Sequence, residues 1–163
     1  MNAPFIYKLY LKRKRCRVKE ALGLYDVPIH DSSTAKNLAA RLLKDEAQEV
    51  FIALHLDSKN RLVSYVEVAR GGLESCVVDP RIVFSTALIA GASTLILAHN
   101  HPSGDSSPST EDRVLTSRLV DIGNLIGIPI LDHLIVGHKE VTSLTEQGVI
   151  PTRGEGSRPQ RES

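Results

Sequence analysis

Two histidines one residue apart, His99 and His101, close an apolar run, Leu95-Ile96-Leu97-Ala98, and Asp112 follows them. The run has the apolar continuity of a buried strand. Residues i and i+2 of a strand share a face, so both imidazoles can reach one ion. Two imidazole nitrogens and one carboxylate oxygen suit zinc, and three protein ligands leave a fourth position for water, the pattern of a catalytic site. A competing reading gives Asp112 a local task. Ser109 can cap a helix, and an acid in that helix's first turn completes a capping box and suits the macrodipole. On that reading the histidines merely end a strand. Hydrolysis would also need a carboxylate near the metal but not on it. Glu46, Glu49, Glu67 and Glu74 lie upstream, and spacing does not choose among them. For each, a solvated surface acid is the ordinary alternative.

The elements that must position these residues are legible as patterns. Asp31-Ser32-Ser33-Thr34 offers N-cap side chains, and a helix from Ala35 to Lys44 would carry Leu38, Leu42 and Leu43 on one side. Glu49 to Leu56 reads as a strand, Asp57 to Asn60 as a turn and Arg61 to Ala69 as the returning strand of a hairpin, with Gly71-Gly72 as a further turn. Asp79-Pro80 starts a helix over Arg81 to Ala90, with Ile82, Val83, Leu88 and Ile89 near one face, and Gly91 ends it. Thr94 to His99 is the buried strand. Residues 100–108 form a loop stiffened by Pro102 and Pro108. A helix over 109–126 follows, with Val114, Leu115, Leu119, Ile122 and Ile126 at helical spacing. Gly127 to Val136 is a further strand, and 141–150 an edge segment. The order α-β-β-α-β-α-β predicts an α/β (α+β) domain, a mixed sheet flanked by helices in three layers.

Composition bounds the rest. A chain of 163 residues, 42% hydrophobic and of net charge +1, fits a single domain with a full core at residues 29–150. Residues 1–28 form a basic extension. Lys8, Lys12, Arg13, Lys14, Arg15, Arg17 and Lys19 have no acid among them, so residues 8–19 could neutralise phosphates or form a solvated arm. Residues 151–163 are poor in apolar side chains and read as a disordered tail. No run approaches the ~18 apolar residues of a membrane helix and no signal peptide is evident, so a soluble, cytoplasmic protein is expected. Cys16 and Cys76 form neither a zinc knuckle nor a disulfide framework.

The pattern His99-x-His101-x(7)-Ser109-x(2)-Asp112 resembles the JAMM signature of the JAB1/MPN metalloprotease superfamily. The wider text, His99-Asn100-His101-Pro102-Ser103-Gly104-Asp105 with Gly127 to Gly137 downstream, is similar to the bacterial RadC branch. Leu56 to Leu62 and Asp79-Pro80-Arg81 extend the resemblance over roughly residues 30–150. It implies a JAB1/MPN-like (cytidine-deaminase-like) three-layer fold and a Zn2+ ion on His99, His101 and Asp112. It also implies a zinc hydrolase cleaving a peptide or isopeptide amide of a peptide or protein substrate through metal-activated water. Ser109 matches the serine that assists with the oxyanion or the metal-bound water, and Glu49, before Val50 to Leu54, matches the family's catalytic glutamate, with Glu67 as the fallback.

Two departures matter. The RadC branch carries a helix-hairpin-helix-like segment ahead of the metal domain, and residues 1–28 show no such pattern, which weakens any borrowed DNA role. Asn100 stands where many eukaryotic members place a small hydroxyl residue. On a strand it points away from the metal, so no effect on ligation is expected.

The remaining polar residues divide more simply. Asp132-His133 reads either as a pair orienting a ligand imidazole or as a satisfied buried polar pair. His30, His55 and His138 read as structural or surface residues, and Ser103 and Asp105 as turn formers that could touch substrate. The rival function is a DNA-associated, repair-related accessory module in which arm 8–19 binds nucleic acid and the metal site is structural or vestigial. Substrate and oligomeric state are not legible at this level.

Overall fold

A strand that is apolar at successive positions must be covered on both faces, and two such strands form the centre of this molecule. They are β1 (Val50–Leu56) and β3 (Thr94–Asn100), buried along their whole length. The computed structural model describes residues 28–71 and 78–151. Within them, β1 and β3 sit in a five-stranded sheet of order β2-β1-β3-β4-β5, where β2 is Leu62–Arg70, β4 Ile130–Val136 and β5 Val141–Ser143. β1 runs antiparallel to β2 and to β3, β3 parallel to β4, and β5 antiparallel to β4.

Helix α1 (Ser32–Leu43) covers one face, burying Leu38 and Leu43 with Ile52, Leu54, Ile96 and Leu134. Helices α2 (Pro80–Ala90) and α3 (Thr110–Ile126) cover the other, with Phe51, Val83, Phe84, Leu97, Leu119 and Ile135. The result is the expected α/β domain of three layers. Local signals fix its joints. Asp31 accepts from the Thr34 amide at 2.7 Å, and Asp79 from that of Arg81 at 2.8 Å with Pro80 as the first helical residue. Gly91 and Gly127 end α2 and α3 in the left-handed region at φ 67° and 76°.

The inward faces of α2 and α3 differ from the sequence expectation. Helix α2 buries Val83, Phe84 and Ala87, while Ile82, Leu88 and Ile89 are 42%, 63% and 44% exposed. Helix α3 buries Thr116, Leu119 and Gly123 and turns Val114 and Ile126 outward. In α3 a close backbone contact sets one inward position. A Cβ on Gly123 would lie 2.7 Å from the Ile128 carbonyl oxygen, so this contact needs a residue without a side chain. Apolar periodicity finds the largest greasy stripe, whereas the buried positions combine large side chains, Phe84 and Leu119, with small ones, Ala87 and Gly123. Strand β4 also begins at Ile130, because Gly127 first closes α3, and the last strand shrinks to 141–143.

Among the described residues no helix is long and apolar enough to cross a membrane. The basic run 8–19, Cys16, Gly72, Glu74, Cys76 and the tail 152–163 lie outside the described residues.

Candidate metal centre

The end of β3 delivers both histidines to the α3 side of the sheet. His99 pairs with Phe51 across β1 and stacks on its ring, centroids 5.9 Å apart and planes within 9°. His101 lies just beyond the strand, but its amide still donates to the Val136 carbonyl at 2.9 Å. The alternation of faces therefore continues one step. The two Nε2 atoms come within 3.0 Å of each other. Asp112, in the first turn of α3, places Oδ1 3.1 Å from His99 Nε2 and Oδ2 3.4 Å from His101 Nε2.

Asp112 also does what the local reading assigned to it. Its Oδ2 accepts from the Ser109 amide at 2.8 Å and from the Ser109 hydroxyl at 2.6 Å, and the Ser109 oxygen accepts from the Asp112 amide at 3.0 Å. The capping box and the cluster are thus one structure. The cap aims the carboxylate.

These three residues form the group that could hold a metal ion among the described residues. The donor chemistry fits. Around a small tetrahedral dication with ligands about 2.0–2.1 Å away, donor atoms stand roughly 3.3 Å apart, near the 3.0 Å between the two Nε2 atoms and the 3.1 and 3.4 Å from them to one or the other Asp112 oxygen. His101 Nδ1 lies 2.7 Å from the Asp105 carbonyl oxygen, which can only accept. Nδ1 therefore carries the proton, and the neutral ring turns an Nε2 lone pair toward the cluster. Charge points the same way. Burial opposes ionisation of Asp112, but the facing rings of His101 and His99, when protonated, together with the Ser109 hydroxyl outweigh it and hold the carboxyl far below the usual range. The Asp112 carboxylate in turn raises His101 against its partial burial, helped by the Asp105 carbonyl and the charge of Glu49. A site that draws a proton this way draws a cation. Side-chain exposure rises from 1% at His99 through 13% at Asp112 to 19% at His101, so the centre opens to solvent at His101.

The candidate glutamates separate by geometry. β1 pairs with β3 from Phe51 opposite His99, so Glu49, just ahead of β1, and His101, just past β3, leave the sheet at the same end, and the Glu49 charge acts on His101. Glu67 pairs instead with Ile52, on the α1 face, and Arg70 binds both it and Glu46, at 2.8 and 2.6 Å. Glu74 lies outside the described residues.

Asn100 points away from the cluster, as expected, but its amide is not idle. Oδ1 accepts from the Val50 amide at 2.8 Å, and Nδ2 donates to the carbonyls of Glu46 and Gln48 at 3.2 and 2.9 Å. The Gly71 amide binds the Glu49 carbonyl at 2.8 Å. The peptide joining Glu49 to Val50 is therefore held from both sides.

The pair Asp132-His133 splits. Asp132 is structural, accepting from Ser143 Oγ at 2.7 Å and from the amides of His133 and Thr145 at 2.8 and 3.1 Å. His133 joins the centre, its Nε2 2.9 Å from His99 Nδ1. Ser103 and Asp105 shape the loop: Ser103 Oγ accepts from the Asp105 amide at 3.4 Å and the Asp105 carboxylate from that of Ser107 at 2.9 Å. Gly104 in this loop has φ +87°, and a Cβ there would meet the His138 ring at 2.3 Å. His30 is exposed, and His55 is a core residue. Sequence reasoning missed the ties of Asn100 and the inward hydroxyl of Thr116. The latter had one faint signal, a polar residue four positions after Asp112 on the same side of a helix.

A model of the RadC-like JAB domain matches residues 17–149. The chain belongs to that family. A UPF0758 protein of Syntrophotalea carbinolica is 46% identical over 108 residues, covering 66% of this chain and 48% of the relative. One from Clostridium perfringens is 41% identical over 137 residues, 84% of this chain and 59% of its own length, and one from Staphylococcus haemolyticus 41% over 152 residues, 91% and 67%. The RadC-like chain described here thus spans about half the length of the first of these relatives. Their names state no activity.

Proposed function

We propose that this RadC-like JAB domain is a zinc-dependent hydrolase of peptide or isopeptide amide bonds. His99, His101 and Asp112 would hold the zinc. The observation that carries the reading is the convergence of two imidazole nitrogens and a carboxylate within 4.8 Å of one another at the solvent-facing end of β3. Bound zinc supplies a Lewis acid that polarises a scissile carbonyl and makes water acidic near neutral pH.

The chain's own residues supply proton transfer and alignment. Glu49 takes a proton from the attacking water and returns it to the leaving nitrogen. Its support is placement: it directly precedes β1 at the end of the sheet where Phe51 pairs with His99, its charge acts on His101, it is outside the ligand cluster, and no hydrogen bond engages its carboxylate among the described residues. Ser109 at rest donates to Asp112 Oδ2 and holds that ligand in place. To steady a developing oxyanion, its hydroxyl turns away from that bond. The nucleic-acid alternative rests on residues 8–19, which lie outside the described residues.

The test is zinc stoichiometry in the purified protein together with cleavage of a peptide and isopeptide panel. Glu49→Gln should keep zinc and lose turnover by about 10²–10⁴-fold, the usual worth of a general base. His99→Ala should lose both. Metal-dependent cleavage that persists in Glu49→Gln would move the base role to another residue.

A further inference from the structure

A ligand histidine binds a cation only through an unprotonated nitrogen, so something must keep its proton on the other one. For His101 the Asp105 carbonyl does this. The atom facing His99 Nδ1 is another imidazole nitrogen, His133 Nε2 at 2.9 Å, which could give or take a proton. The ambiguity passes along the chain. His133 Nδ1 lies 2.6 Å from Thr116 Oγ1, and Thr116 Oγ1 lies 2.6 Å from the Asp112 carbonyl oxygen.

We propose that Thr116 and His133 are positioning residues whose hydrogen bonds hold His99 in its metal-ligating tautomer. A carbonyl oxygen can only accept, and a threonine hydroxyl has one proton. With that proton on the Asp112 carbonyl, Oγ1 accepts from His133 Nδ1–H. His133 Nε2 is then bare and accepts from His99 Nδ1–H. His99 Nε2 is left as a lone pair facing Asp112 and His101. In the reverse direction every ring proton moves to the opposite nitrogen, and an N–H enters the ligand cluster. Thr116 and His133 are each 0% exposed, so solvent does not replace either partner. The chain starts on the backbone of one ligand and ends on the ring of another, so the turn of α3 that carries Asp112 also sets the tautomer of His99.

The proposal rests on the metal-centre reading, and its readout is affinity for the zinc ion alone, measured on the full chain by competition with a chromophoric chelator. Thr116→Val keeps the shape but cannot accept from His133. A buried N–H without an acceptor is costly, so the His133 proton moves to Nε2 and drives the His99 proton onto its own Nε2. Zinc affinity should fall about 10–100-fold, the range for losing a ligand's orienting partner, while Thr116→Ser should restore it to within about twofold of wild type. His133→Phe should fall in the same range. Combining Thr116→Val with His133→Phe should add little, because both break one chain.

Thermal melts show whether each variant is folded. Wild-type affinity in a folded Thr116→Val protein, or additive losses in the double variant, would overturn the proposal. A wild-type protein with no zinc affinity would overturn it together with the metal-centre reading. The expected variant pattern without cleavage of any amide in the panel would count against the hydrolase reading alone.

Discussion

Asp112 carries two tasks that are usually considered separately. Its Oδ2 closes a capping box with Ser109 and its Oδ1 faces His99, so the helix terminus and the metal cluster share one carboxylate. The cap fixes both torsions of a short side chain, which lowers the entropy lost when three donors are gathered on one ion. Ser109→Ala removes the acceptor for the Asp112 amide and the hydroxyl that restrains Oδ2. It should cost about 1 kcal/mol of stability, as N-cap losses do, measured as a shift of the urea midpoint. Zinc affinity should drop with it. Unchanged affinity beside the lost stability would reduce Ser109 to a cap. In the sequence, capping and ligation looked like rivals for Asp112, because both predict the same acid three residues after the same serine. Only the placement of His99 and His101 against that turn joins them.

Between elements, the decisive contacts cross long stretches of chain. Asn100 on β3 binds the amide of Val50 and the carbonyls of Glu46 and Gln48, closing the connection from α1 to β1 that carries Glu49. Asn100→Ala would leave these groups without their partner, at a cost of about 1–3 kcal/mol for a buried unsatisfied group. Hydrogen exchange at the Val50 amide should accelerate, and turnover should fall while zinc affinity stays near wild type, since neither ligand histidine touches the Asn100 side chain. Retained protection at Val50 would refute the clamp. The alternation of faces at His99, Asn100 and His101, the capping residues and the order of elements were legible in the sequence, since each depends on neighbours within a few positions. The tie from Asn100 to Val50, the reach of His133 to His99 and the inward faces of α2 and α3 were not. They depend on which strands lie side by side and on tertiary packing of the helices, including the close fold-back of Ile128 on Gly123 where α3 ends.

At the scale of the whole molecule, the central strands β1 and β3 are buried on both faces, and the core contains a histidine remote from the metal cluster. His55 on β1 is 2% exposed, with Nδ1 2.9 Å from Ser64 Oγ and Nε2 3.4 Å from Thr86 Oγ1. Burial pushes its pKa down to about 4, and no charged neighbour contributes. In the unfolded chain it titrates near 6.5. Between those values the unfolded state binds a proton that the folded state refuses, so stability from this residue is complete above about pH 6.5 and declines as the pH falls toward about 4. The loss is of the order of 2 kcal/mol after allowance for partial solvent screening. His55→Gln, neutral throughout, should lose correspondingly less stability between pH 7.5 and pH 4.5 by urea titration. Every other histidine is common to both proteins, so the difference between wild type and variant isolates His55. Parallel pH curves for the two would show that the fold accommodates a charged ring at that site. The packing of β1 between two helical layers would then be looser than its buried side chains indicate.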